Sequence, residues 1–150
     1  MTDTTDTTDT TDTTPVGVFN RCMELLLVND IPTFLTLVHP DAVMEFPFTP
    51  PGRPRRIEGG EAVREYFMNY SRMMGTSEVT DLTVHETKDP EVLVIEFAGT
   101  STATATGEQV DLAFVSVLRV RDGLVLHYRD YWNPLTTLAL SNEAPPGAEV

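Results

Sequence analysis

The sequence predicts a single α+β domain: a curved antiparallel sheet with three N-terminal helices packed on its concave side to enclose a pocket. Two observations lead there. The first half carries apolar residues at helical spacing between prolines, and the second half switches to hairpin-connected runs rich in Val, Thr, Leu and aromatics. A third sets the scale: 150 residues with 41% apolar content suffice for one core and fall short of two ordinary domains.

Residues Thr2 to Thr14 repeat Thr and Asp with nothing apolar to bury, so 1–14 reads as a disordered tail. Pro15 opens the first helix, with Val18, Cys22, Leu25 and Leu26 on one face and Asn29-Asp30 at its end. Asp30 is a plausible N-cap for a second, short helix with Pro32 in its first turn and Ile31, Phe34, Leu35 and Val38 facing inward. His39-Pro40-Asp41 is expected to turn the chain into a short strand at 42–46, and the prolines of 49–54 mark a loop. Helical spacing returns at 59–74 with Val63, Tyr66, Phe67 and Tyr70. Strands are then expected at 82–85, 91–104, 110–121 and 124–132, with turns at Lys88-Asp89-Pro90, Thr106-Gly107-Glu108 and Arg121-Asp122-Gly123. Residues 141–150 read as a flexible C-terminal tail, which leaves 15–140 as the folded unit.

A formal net charge of −13 makes nucleic acid and anionic membrane surfaces poor partners. The one basic cluster, Arg53, Arg55 and Arg56, sits among prolines in a solvated loop. Cys22 is the only cysteine, so no intrachain disulfide or multi-cysteine metal cage forms, and a reducing, cytoplasmic compartment is the expectation. The start of the chain lacks a basic, then apolar, secretion signal, and no run approaches the roughly 18 apolar residues that span a bilayer. No histidine pair has metal-ligand spacing, and no glycine-rich phosphate loop or serine-nucleophile elbow is present, so neither a metal nor a cofactor is expected.

Alternation along 124–132 puts Leu124, Leu126, Tyr128, Asp130 and Trp132 on one face and Val125, His127, Arg129 and Tyr131 on the other. A carboxylate between two aromatics on an apolar face is desolvated, which raises its pKa and suits it to general acid–base work near neutral pH. The competing reading makes Asp130 a strand-end residue paired with Arg129, Arg119 or a backbone amide, of which Arg129 is disfavoured because strand neighbours point to opposite faces. Glu45 is a second acid, expected to pair with the arginine-rich loop rather than to line the pocket. His39 reads as a capping or surface residue, and His85 and His127 as solvent or interface residues.

The order of elements, together with 39-HPDAVMEFPF-48, 57-IEGGEAV-63 and 127-HYRDYWNPL-135, resembles the SnoaL-like polyketide cyclases and their ketosteroid-isomerase relatives in the nuclear transport factor 2-like superfamily. Residues 86-ETKDP-90, 94-VIE-96 and 129-RDYWNP-134 are also similar to the phenazine-biosynthesis A/B proteins. The resemblance implies a cone-shaped sheet around a cavity. It places Asp130 at the position of the cyclases' general base and of the phenazine proteins' catalytic glutamate. Tyr128, Trp132, Tyr66, Leu93, Ile95 and Phe97 would line the cavity. Phe46, Cys22 and Ala113 stand where ketosteroid isomerases carry their base and oxyanion-hole acids, and Thr80 where the phenazine proteins carry an assisting histidine, so those two chemistries are not expected. Phe46 and Ala113 become wall residues of the substrate site instead.

The expected function is a cofactor-independent cyclase or isomerase acting on an apolar secondary metabolite, with Asp130 as general acid or base. A non-catalytic ligand-binding or scaffold domain, or an epoxide hydrolase-like pocket, are the alternatives. Apolar residues on the outer sheet face, Val92, Val94, Ala98, Val125 and Tyr131, predict a homodimer through the sheet.

Overall fold

The computed structural model describes residues 12–136, with the side chains of all but 73–77. Of the tails expected at 1–14 and 141–150, residues 1–11 and all of the second lie outside the described residues, as does the domain end at Leu140. Thr14, placed in the tail by composition, has a structural role: its Oγ1 accepts the Gly17 N–H at 3.1 Å and caps α1 (Pro15–Leu27). Asp12 in turn accepts the Thr14 N–H and hydroxyl at 3.0 and 2.6 Å. Asn29, in the left-handed region at φ 60°, then turns the chain, and Asp30 caps α2 (Ile31–Leu35) by accepting the Thr33 N–H at 3.2 Å.

Strand β1 (Val38–Glu45) begins earlier than its apolar pattern suggests, so His39-Pro40-Asp41 lie inside it rather than forming a turn that precedes it. The reason is a bulge. Val38 pairs with Val125 and pairing resumes at Val43 with His127, which leaves the intervening β1 residues out of register. His39 Nδ1 stabilises that bend by accepting the Asp41 N–H at 3.0 Å, a local role of the kind expected for it. A short β2 (Arg56–Glu58), which the sequence reading missed, pairs with β1 and leads into α3 (Gly60–Met73).

Four strands follow: β3 (Met74–Glu86), β4 (Val92–Ala103), β5 (Gln109–Arg121) and β6 (Leu124–Trp132). They join β1 and β2 in one six-stranded curved sheet of order β2-β1-β6-β5-β4-β3. The chain therefore has the expected α+β architecture. The sheet is antiparallel except where β1 runs parallel to β6, a pairing that brings the first strand beside the last. A helical stretch begins again at 134–136, so the three N-terminal helices do not account for all the helical residues.

Inward residues of α1, α2, β4 and β5 form the main core, including Val18, Phe19, Phe34, Leu93, Ile95 and Leu118. A second cluster of Ala42, Met44, Phe46 and Val63 seats α3 on β1. At Gly99 a Cβ would collide with the Glu78 carbonyl oxygen across the β3–β4 pair, where the register already shifts between Val79 and Asp81. Gly99→Ala is expected to lower unfolding free energy by about 1–3 kcal/mol, because backbone on the facing strand has to move. An unchanged urea midpoint with an unchanged m-value would contradict this.

Candidate active site

A cavity of about 210 Å³ lies between the helices and the concave face of the sheet. Its wall is mostly apolar. Phe19, Met23, Leu26 and Leu27 come from α1, Ile31 and Phe34 from α2, and Tyr66, Phe67, Tyr70 and Ser71 from α3. The sheet adds Ile95, Phe97, Leu112, Phe114, Ser116, Leu118, Val125, Tyr128 and Asp130. Two physical causes fill it with aromatics: the helical period of α3 stacks Tyr66 over Tyr70, with centroids 6.3 Å apart, and cross-strand pairing stacks Phe97 on Phe114 at 4.7 Å.

Asp130 stands opposite Ser116 on β5 and is the only Asp or Glu among the lining residues. Its Oδ1 is fully buried and has no hydrogen-bond partner. Burial alone pushes its carboxyl up to about 7, because the charged form is deprived of water and nothing nearby compensates. Pairing with Arg119, the competing reading of the sequence, does not occur: Arg119 is held by Glu91 and Asp89 at 2.8 and 3.1 Å.

Three tyrosines share the cavity with this acid. The Tyr128 and Ser116 hydroxyls are hydrogen-bonded at 2.9 Å. Burial first, and the Asp130 charge second, raise the pKa of Tyr66, Tyr70 and Tyr128, that of Tyr70 to about 12. Their hydroxyls stay protonated and can donate hydrogen bonds across the whole working range. Cys22 also lines the wall, and burial pushes its thiol up to about 12, so it is a neutral apolar surface rather than a nucleophile.

The structure brings Asp130, Tyr128, Tyr66, Ile95 and Phe97 together around the cavity, and sets four other expected lining residues apart from it. Leu93 belongs to the core below, and Phe46 and Trp132 to the cluster behind α3, where Phe46 packs on Tyr66 with centroids 5.1 Å apart. Ala113 is exposed on the outer face, because alternation along β5 turns Leu112 and Phe114 inward instead.

Strict alternation also fails in β6. Arg119 pairs with His127 and Val120 with Val125, so Leu126 is an extra residue. This one-residue bulge reverses the facing of the strand's first part: Val125 lines the cavity, and Leu124 and Leu126 do not. Of the helix-derived lining residues, Tyr66 was expected from the resemblance, Cys22, Leu26, Ile31, Phe34, Phe67 and Tyr70 were read only as apolar faces of their helices, and Phe19, Met23 and Leu27 were not singled out.

Glu45 lies away from the cavity lining, as expected, and pairs with Arg56 at 2.9 Å. It also meets His127 at 2.7 Å, and the His127 hydrogen bond is the main cause of its lowered pKa. Among the described residues no group of three or more His, Cys, Asp or Glu is placed to hold a metal ion, and no helix is long and apolar enough to cross a membrane.

The family model of the SnoaL-like domain matches residues 19–128 and so stops two positions before Asp130. An uncharacterised PhzA/B-like protein of Pseudomonas aeruginosa is 40% identical over 116 residues, covering 77% of this chain and 82% of its own. A candidate isomerase of Bacillus subtilis, known from its crystal structure, superposes with a TM-score of 0.80 at 30% identity, covering 87% of this chain and 94% of that one. A candidate polyketide cyclase of Pseudomonas putida shares the fold at a TM-score of 0.72 and 17% identity, over 85% of this chain and 97% of that one. A Mycobacterium tuberculosis protein in complex with estradiol-17β-hemisuccinate does so at 0.69 and 21%, over 82% and 97%. The chain belongs to the SnoaL-like family.

Proposed function

We propose that the cavity is the active site of a cofactor-independent cyclase or isomerase acting on an apolar small molecule, with Asp130 as its general base. The observation that carries this reading is the orphaned, buried Oδ1 of Asp130 in an apolar chamber. A carboxyl titrating near neutrality is matched to proton transfer from a carbon next to a carbonyl. The Asp130 carboxylate takes that proton, and the electron pair of the broken C–H bond passes onto the carbonyl oxygen as an enolate. A tyrosine hydroxyl of the cavity donates to that oxygen. In an isomerase Asp130 returns the proton to a different carbon. In a cyclase the enolate carbon attacks a second carbonyl of the same molecule, and the new alkoxide recovers the proton from Asp130. The steroid rings of the half-ester in complex with the Mycobacterium tuberculosis protein of the same fold support an apolar ligand class.

The test compares wild type with Asp130→Asn on a ligand identified by binding. Retained affinity with lost turnover supports the base; unchanged turnover rejects it. A ligand bound tightly by both proteins and turned over by neither would favour a pure binding domain.

We further propose a cytoplasmic homodimer joined through the outer sheet face. Val94 pairs with Val117, Ala98 with Ala113 and Val115 with Tyr131 in adjacent rows, and Phe48, itself 56% exposed, packs on Tyr131. Val125, counted on this face from alternation, belongs to the cavity instead. Sedimentation equilibrium should give twice the chain mass for wild type and the chain mass for Val115→Asp. A monomeric wild type would refute the interface.

A further inference from the structure

The cavity carries charge of one sign. Asp130 supplies it, and none of the lining residues is Lys, Arg or His. Three arginines of the sheet are engaged elsewhere, Arg56 by Glu45 and Glu58, and Arg119 and Arg121 by Glu91, and the fourth, Arg129 of β6, is not among the lining residues. Residues 1–11 and 137–150 contain no Lys, Arg or His, so those segments bring no side-chain cation to the site.

A buried carboxylate without a partner is unfavourable, and its orphaned oxygen lacks a donor. Around it stand aromatic faces. Tyr66, Tyr70 and Tyr128 all feel the Asp130 charge, and the stacked Phe97–Phe114 pair lines the same chamber. Such faces attract organic cations, more strongly once water is excluded. The net charge of −13 also draws cations toward the molecule and turns anions away.

We propose that the cavity binds an organic ammonium ion, an apolar ring-bearing amine whose N–H donates to Asp130 Oδ1 and whose charge lies against the tyrosine rings. The proposal uses the same carboxylate as the acid–base reading but requires only binding. Such a ligand supplies both things the site lacks, a hydrogen-bond donor and a positive charge. An anionic ligand of the same shape meets repulsion from Asp130 with no compensating cation.

The probes are 2-phenylethylamine and 2-phenylethanol, similar in shape and different in charge, titrated by NMR against the full chain. Near pH 8.5 the amine is expected to bind at least about tenfold more tightly than the alcohol, the share of a desolvated cation–π and ion-pair contact. Because only the carboxylate form attracts the cation, and Asp130 titrates at about 7, amine affinity should fall about 30-fold between pH 8.5 and 5.5. Alcohol affinity should not fall. Asp130→Asn should abolish the preference for the amine; should that variant not fold, the pH dependence of wild type decides. Equal or tighter alcohol binding near pH 8.5, no saturable amine binding at millimolar concentration, or a preference that survives Asp130→Asn overturns the proposal. Turnover lost in Asp130→Asn without any amine preference would keep the acid–base reading and reject this one. An amine preference with turnover unchanged in the variant would do the reverse.

Discussion

Replacing Asp130 with asparagine is expected to lower turnover by about 10²–10⁴-fold, the usual contribution of a positioned general acid–base group. Asparagine keeps the size of the side chain and the shape of the wall, so affinity for an uncharged ligand should change little. The reacting form of the base is the carboxylate. Wild-type kcat/KM should therefore rise with pH and level off above a midpoint near 7, where burial has placed the Asp130 carboxyl. The tyrosines do not add a falling limb in the neutral range, since burial and the Asp130 charge hold Tyr66, Tyr70 and Tyr128 protonated well above it. A profile flat from acid to mildly alkaline pH would remove Asp130 from the mechanism, whatever the variant does.

The same burial leaves a signature in stability that needs no substrate. The folded-state pKa of Asp130 is raised above the ordinary value, so between the two the native state binds more protons than the unfolded one. Stability linked to this group is full below the unfolded value near 3.8 and is lost as pH rises through about 7. A shift of that size corresponds to about 4 kcal/mol. The residue retains partial exposure, which brings the expected effect to ~2–4 kcal/mol. Asp130→Asn does not titrate, so its unfolding free energy relative to wild type should improve by that amount between pH 4 and pH 8. Urea titrations of both proteins across this range measure it. A constant difference would mean that the carboxyl is hydrated in solution.

Glu91, just before β4, shifts in the opposite direction. Glu91 is held down to about 2, mainly by Arg121 and then by Arg119. Its carboxylate is ionised throughout the window in which Asp130 changes. The predicted pH effect therefore belongs to the cavity and not to this network.

Much of the fold was legible because local chemistry and burial agree there. Pro15, and Asp30 with Pro32, start the helices as first-turn prolines and a cap do, and the alternation of β4 and β5 matches their buried faces. What escaped was structure whose cause is not local. β2 is three residues long, and the part of the edge strand β3 that precedes the expected 82–85 is mostly polar in sequence, so neither carries an apolar run. The parallel pairing of β1 with β6 joins residues more than 80 positions apart, and no period within either strand encodes it.

The candidate acid divides along the same line. The sequence by itself determined that Asp130 shares a face with Tyr128 in the last strand, since both lie beyond the bulge at Leu126, where the period of two holds. It also determined the scarcity of cations, a matter of composition. Only the tertiary structure decided that Asp130 is buried without a partner, that Arg119 is held by Glu91 and Asp89, and that Ala113 faces outward while Leu112 and Phe114 take the wall. Desolvation depends on everything packed around a group, and here that means helices and strands from both ends of the domain; a strand's own residues set only the direction in which a side chain points.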